Sequence, residues 1–589
     1  MSTTFVTIIY KPVYLLAILL VSLSTSSCGG SSPFLSPPDS GNHSIFPPTR
    51  TPFQPLQPTA EHELVENIWP IQTPTPIPPD EPVDGIPLWL DPSTPDGLRS
   101  ILNLPDEFSI VELEGPVPAG RRGLVLKVGE GMLVSQWVYA FAAPFASIEK
   151  GISGDELLQA WSGQASGILA GQPLLLSSNT LSAFSAFWGE PAAGSVKVIP
   201  AEEIMAHAWE HRPAYALIPF ESVEPRWKVL EIDGESPLHK DFDLAAYPLT
   251  VPLIMDGDPQ LVAISDTLFG MESAKPLAPA SNRDSNKLTT LAMTGVTALV
   301  RATAFTMEQR GIQYPARDIG EILRSADITH ISNEVPFAKD CPFPDPVQAD
   351  MRFCSSPRYI SLLEEVGTDI VELTGDHFQD YGAAAMYNTL DLYSGLGWQY
   401  YGGGANRKEA RGAVILEHNG NRLAFIGCNA KGGGYAQASA SNPGAVKCDY
   451  DWLESEIAQL RSEGYLPIMT FQHFEYYTYK AQPSQERDFK RIARAGAAIV
   501  SGSQAHQPQA FDFVDGAFIH YGLGNLFFDQ FEVNKATRQS FVDRHVFYDG
   551  RHINTELLPI MFVDYARPRP MTPAEREELL SAVFRASGW

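Results

Sequence analysis

After its first 25 residues, the 589-residue chain has no apolar run approaching the ~20 residues that cross a bilayer. Only the N-terminus is therefore expected to touch a membrane. Basic residues are scarce. The 42 Lys and Arg face 69 Asp and Glu, for a formal net charge of −27. A nucleic-acid binder needs a basic footprint to displace counterions from phosphates, so nucleic acid is excluded as a partner. Three catalytic signatures are missing: the Gly-x-Ser-x-Gly elbow, the phosphate loop and the His-Glu-x-x-His zinc motif. Gly402-Gly403-Gly404 reads as a turn, since no helix with dinucleotide spacing follows. No internal repeat is visible. What is present is core-forming material, 44% hydrophobic against 19% charged, at a length that predicts more than one domain.

Cysteine is also sparse, at five residues. The first, Cys28, ends a segment with one positive charge at Lys11, an apolar stretch from Val13 to Leu23 and small polar residues before the cysteine. That order is the order of a secretory signal, and its apolar part is short for a transmembrane helix. Cys28 resembles the lipidated cysteine of bacterial lipoproteins. Ser26 and Ser27 fit the small positions, but Thr25 stands where leucine is usual. Residues 1–28 are thus expected to export the chain, with Cys28 as a lipid anchor to the cell membrane; plain secretion and an uncleaved anchor are the alternatives. Export favours disulfides among Cys341, Cys354, Cys428 and Cys448. Proximity in sequence pairs Cys341 with Cys354 and Cys428 with Cys448, although four cysteines admit three pairings and free thiols are the other reading.

Residues 29–95 contain 17 prolines, with runs such as TPTPIPP at 73–79. Such a segment cannot build a core and is expected to be a disordered stalk. Residues 96–273 alternate strand-like and helical stretches, which argues an α/β domain. Asp155 and Glu156 suit the first turn of a helix. The stretches PFESVEPRWKVLEIDGESPL and YPLTVPL resemble the later part of periplasmic solute-binding proteins, and this domain carries no chemical constellation. Residues 274–287 read as a linker, 288–535 as a second α/β domain and 536–589 as a peripheral extension with a helix over 573–586.

In the second domain, polar residues follow directly on expected strands. The strand near 327–332 runs into Asn333 and Glu334; that near 369–374 into Gly375, Asp376 and His377, with Asp380 three residues on. The strands near 466–472 and 498–501 run into His473 and His506. Ligands of open α/β sheets bind beyond the carboxyl ends of the strands, so one rim would gather Glu334, Asp376, His377, His473 and His506. Carboxylate and imidazole suit Zn, Mn or Fe. Asp380 either caps the following helix or orients His377. Glu475, in the aromatic run FEYYTY, is either a member of the site or a polar edge.

Six segments then resemble, in order, those of the CapA family of bacterial capsule-synthesis proteins: ISNEVPF at 331–337, LTGDHFQDYG at 373–382, YYGGGANRKEA at 400–410, QHFEYY at 472–477, GSQAHQPQ at 502–509 and HYGLGNLFFDQ at 520–530. The resemblance implies a metallophosphatase-like layered α/β sandwich, here preceded by the α/β domain of periplasmic-binding type. It also implies a surface role in making or handling a capsule, poly-γ-glutamate or another exopolymer. The polymer or its precursor, the membrane and capsule-assembly proteins would be the partners.

Metal-assisted hydrolysis would use Glu334, Asp376, His473 and His506 as metal ligands, with His377 as proton donor helped by Asp380. Two positions depart from the family pattern. Val296 stands where the family has a metal-binding Asp, and Gln504 where it has His. One divalent metal at most is therefore expected. A non-catalytic polymer- or solute-binding lipoprotein with a degenerate site is the alternative.

Overall fold

The computed structural model describes residues 85–113, 122–271, 273 and 275–589, the side chains of 267–269 excepted. The signal-like segment, Cys28 and residues 29–84 of the proline-rich stretch lie outside the described residues. The described residues form one compact unit.

The expected stalk ends earlier than residue 95. Ile86–Leu90 is a strand, paired in parallel with both Phe108–Glu112 and Leu124–Val128. These strands belong to a nine-stranded mixed sheet. Its longest member is the 13-residue strand Met132–Pro144, which alternation does not reveal because it is buried on both faces along most of its length. The helix Gly154–Trp161 opens on a capping box between Ser153 and Glu156, so the acidic first turn has a specific partner.

Residues 274–287 do not behave as a loose linker. The backbone of Gln136 donates to Ala280, Asn282 bonds both backbone groups of Val138, and Tyr548 Oη donates to the Asn282 carbonyl. The N-terminal hydrophobic core extends into Leu288, Val546, Tyr548 and Ile553, so the two halves share packing.

The C-terminal half holds two large sheets. The first runs Gln399–Tyr401, Ile370–Glu372, Ile328–Asn333, Leu288–Thr294, Gln539–Tyr548, Arg551–Phe562, Pro568–Pro570. The second runs Val414–His418, Asn421–Asn429, Leu466–Gln472, Ile499–Ser501, Ala517–His520, Phe511–Val514.

Neighbouring residues on a strand point to opposite faces, and here both faces are covered. Leu291, Met293, Ile328 and Ile370 of the first sheet meet Phe425, Ile468, Ile499 and Phe518 of the second. Their neighbours Ala292, Ile331 and Val371 pack outward with Met307, Leu323, Leu363 and Met386, which lie on helices. Ile426, Met469, Val500 and Ile519 pack outward with Leu453, Ile457, Phe489 and Ile492 of Tyr450–Ser462 and Pro483–Arg494. The result is a four-layer helix–sheet–sheet–helix sandwich, the layered α/β arrangement the resemblance implied.

The C-terminal boundary is corrected by the same packing. Gln539–Tyr548 pairs antiparallel with the whole of Leu288–Thr294, in the middle of the first sheet. The helix Pro573–Ala586 contributes Leu579, Leu580, Val583 and Phe584 to the core between the sheets. Residues 536–589 are thus integral to the sandwich and not an extension of it. Two disulfides, Cys341–Cys354 and Cys428–Cys448, close loops of this half.

Candidate metal centre

Glu334 follows the end of Ile328–Asn333, and Asp376 and His377 follow Ile370–Glu372, its parallel neighbour. The two loops touch at Gly375. A Cβ on that residue would lie 2.8 Å from both Cα and O of Glu334, so only glycine allows the approach. Ligand atoms of Glu334, Asp376 and His377 consequently lie within 4.8 Å of one another. Glu334 and Asp376 are buried, and His377 is partly so.

His377 is held by Asp380. Its Nδ1 donates to Asp380 Oδ2 at 2.7 Å, and the same oxygen accepts the backbone N–H of Phe353 at 2.8 Å. The helix Gly382–Gly395 starts without a side-chain cap, so Asp380 orients the histidine rather than capping the helix. Burial works against charging His377, but the Asp380 hydrogen bond and the Glu334 and Asp376 charges prevail and raise its pKa to about 9. Burial raises Glu334, with His506 and His377 opposing.

The other two histidines do not join this group. His473 Nε2 is 3.1 Å from Asp488 Oδ2, on the helix Pro483–Arg494, and Asp488 also accepts from Tyr450 Oη. Burial lowers the His473 pKa. His506 Nδ1 bonds Asn525 Oδ1 at 2.9 Å, and its Nε2 is 3.6 Å from Glu475 Oε1. Of the expected ligands Glu334, Asp376, His473 and His506, the first two join the group within 4.8 Å, and His377 is its third member. Asp488 and Glu475 engage the other two rings.

Two members escaped sequence reading or were left open by it. Glu475 belongs to the site: burial raises its pKa, yet His506 and Lys431 hold it well below the ordinary carboxylate range. Lys431, two residues beyond Asn421–Asn429, places Nζ 3.0 Å from Asp376 Oδ2 and contacts Glu475 Oε1. Burial opposes its charge, but Asp376 and Glu475 raise its pKa above the ordinary lysine value. Its place just past a strand end, on the same rim, was the available signal.

The donor set fits one divalent cation. Two carboxylates and one imidazole converge, and the buried Asp376 Oδ1 has no hydrogen-bond partner among the described residues. Val296 is fully buried in an apolar cluster with Ala298, Val335 and Phe528. Gln504 donates Nε2 to Ser332 Oγ at 2.6 Å. Neither adds a ligand atom to the three.

Residues 290–530 match the family model described as bacterial capsule synthesis protein PGA_cap. The capsule biosynthesis protein CapA of Bacillus anthracis is 25% identical over 321 residues, covering 54% of this chain and 77% of that protein. The PGA biosynthesis protein CapA of Bacillus subtilis (strain 168) is 21% identical over 264 residues, covering 44% and 68%. The solved 5'-nucleotidase precursor of Thermus thermophilus aligns at 14% identity and TM-score 0.30, over 50% of this chain and 58% of that one. Residues 290–530, which carry the Glu334–Asp376–His377 cluster, thus match the CapA family of bacterial capsule synthesis proteins.

Proposed function

We propose that this protein serves capsule or exopolymer biosynthesis outside the cytoplasm, and that the Glu334–Asp376–His377 cluster is a one-metal hydrolytic site. The observation that carries the reading is the convergence of those side chains on a strand-end rim, with His377 locked by Asp380. No helix among the described residues is long and apolar enough to cross a membrane, so attachment would fall to the N-terminal segment and Cys28. Poly-γ-glutamate is the polymer class suggested by the relatives; its negative charge is opposed by a net charge of −27, and a cation at the rim offsets that locally.

Zn, Mn or Fe, when bound, supplies Lewis acidity and lowers the pKa of a coordinated water. Glu334 and Asp376 would hold the cation by carboxylate oxygens and His377 by Nε2, its Nδ1 being committed to Asp380. Where Glu334 and Asp376 alone held the cation, His377, which Asp380 and the two carboxylates favour in its protonated form, would instead give a proton to the leaving group.

A second reading is favoured by Val296 and Gln504. With two ligand positions of the family replaced, the rim would bind a polymer or solute without turning it over. Hydrolysis of bis-p-nitrophenyl phosphate with Mn²⁺ separates the two. The hydrolytic reading expects turnover that falls by roughly 10²-fold or more in His377→Ala. Absence of turnover in both proteins supports the binding reading.

A further inference from the structure

Beside the metal cluster lies a second group of potential ligands that shares Asp376 with it. Lys431 Nζ is 3.0 Å from Asp376 Oδ2 and contacts Glu475 Oε1, which is 3.6 Å from His506 Nε2. The ammonium therefore stands between two carboxylates, one of which also faces His506. Lys431 is 24% exposed at its side chain, so the charge is largely withdrawn from water. An ammonium is a compact point charge with three donors and satisfies carboxylate oxygens much as an ion does. Two cations on the same oxygens repel, and burial strengthens that repulsion.

We infer that Lys431 is the resident cation of this second position, excluding a second metal ion and leaving a centre of one metal plus one ammonium. Val296 and Gln504 fit this arrangement, since neither contributes a charged ligand that a second ion would need. The inference rests on the one-metal reading above, and its test separates the two. The full chain, Lys431→Met and Lys431→Arg are titrated with Mn²⁺ by calorimetry and by electron paramagnetic resonance. Lys431→Gln serves as a second uncharged variant should the methionine protein fail to fold. The wild type and Lys431→Arg are expected to bind one ion and the uncharged variants two. One ion in all four, with unchanged affinity, overturns the role of Lys431 and leaves the one-metal reading standing. No ion in any of them overturns both. None in the wild type but one in the uncharged variants keeps Lys431 as the excluding cation while removing the native metal.

Discussion

His377 Nδ1 and Asp380 Oδ2 lie 2.7 Å apart, and that bond decides which imidazole nitrogen faces Glu334 and Asp376. With Nδ1 occupied, Nε2 is left for a metal or for proton transfer. Asp380→Asn should weaken Mn²⁺ binding by roughly 10–100-fold and lower hydrolysis, with the circular dichroism spectrum unchanged. Equal affinity in the two proteins would show that the ring is oriented by something else.

Gly375 makes the site by omission. Gly375→Ala places a methyl 2.8 Å from the Glu334 backbone and should push the two loops apart. The expected destabilisation is about 1–3 kcal/mol by denaturant unfolding, with Mn²⁺ binding lost while the sandwich persists. Retained affinity would mean that the loops can yield without separating the ligands.

The disulfide Cys428–Cys448 closes a 20-residue separation whose loop contains Lys431. Replacing both cysteines by alanine should cost about 3 kcal/mol in urea unfolding, chiefly through the freed unfolded chain. A loss well under 1 kcal/mol would indicate that the loop is ordered without it.

Where the two halves meet, Glu556 accepts from Arg544, and His239 Nε2 lies 3.4 Å from its other oxygen. Burial raises Glu556, but His239 and Arg544 bring its pKa down from 4.5 to about 2. The unfolded chain therefore takes up this proton first as pH falls. The stability Glu556 contributes is complete above pH 4.5 and is lost as pH drops towards 2, amounting to roughly 3 kcal/mol. His239 is raised above 6.5, mainly by its bond to Glu556, so its contribution is present below 6.5 and fades as pH rises through the raised value. Urea unfolding of wild type and Glu556→Gln should show a gap that is largest between these limits and narrows from pH 4.5 to 2. A gap independent of pH would contradict the assignment.

The candidate rim was legible because ligand types recur immediately after apolar strands; Glu334, Asp376 and His377 each sit within five residues of one. His473 and His506 carry the same local signal, yet Asp488 and Glu475 engage them, and nothing local encodes a partner 15 or 31 residues away. Lys431 also stands just past a strand, but a lone lysine there reads as a solvated end, so its strand-end position was the one signal for it. The strand Met132–Pro144 was missed because a strand covered on both faces has no alternation to detect. Gln539–Tyr548 was read as peripheral because its partner, Leu288–Thr294, lies some 250 residues earlier. A pairing that distant leaves no trace in a local window.

The most direct test is anomalous diffraction from crystals of the wild-type protein soaked in Mn²⁺. A single strong peak within coordination distance of Glu334, Asp376 and His377, with Lys431 still on Asp376, is the predicted result. No peak there at saturating metal, or a peak held instead by His473 and His506, would contradict it.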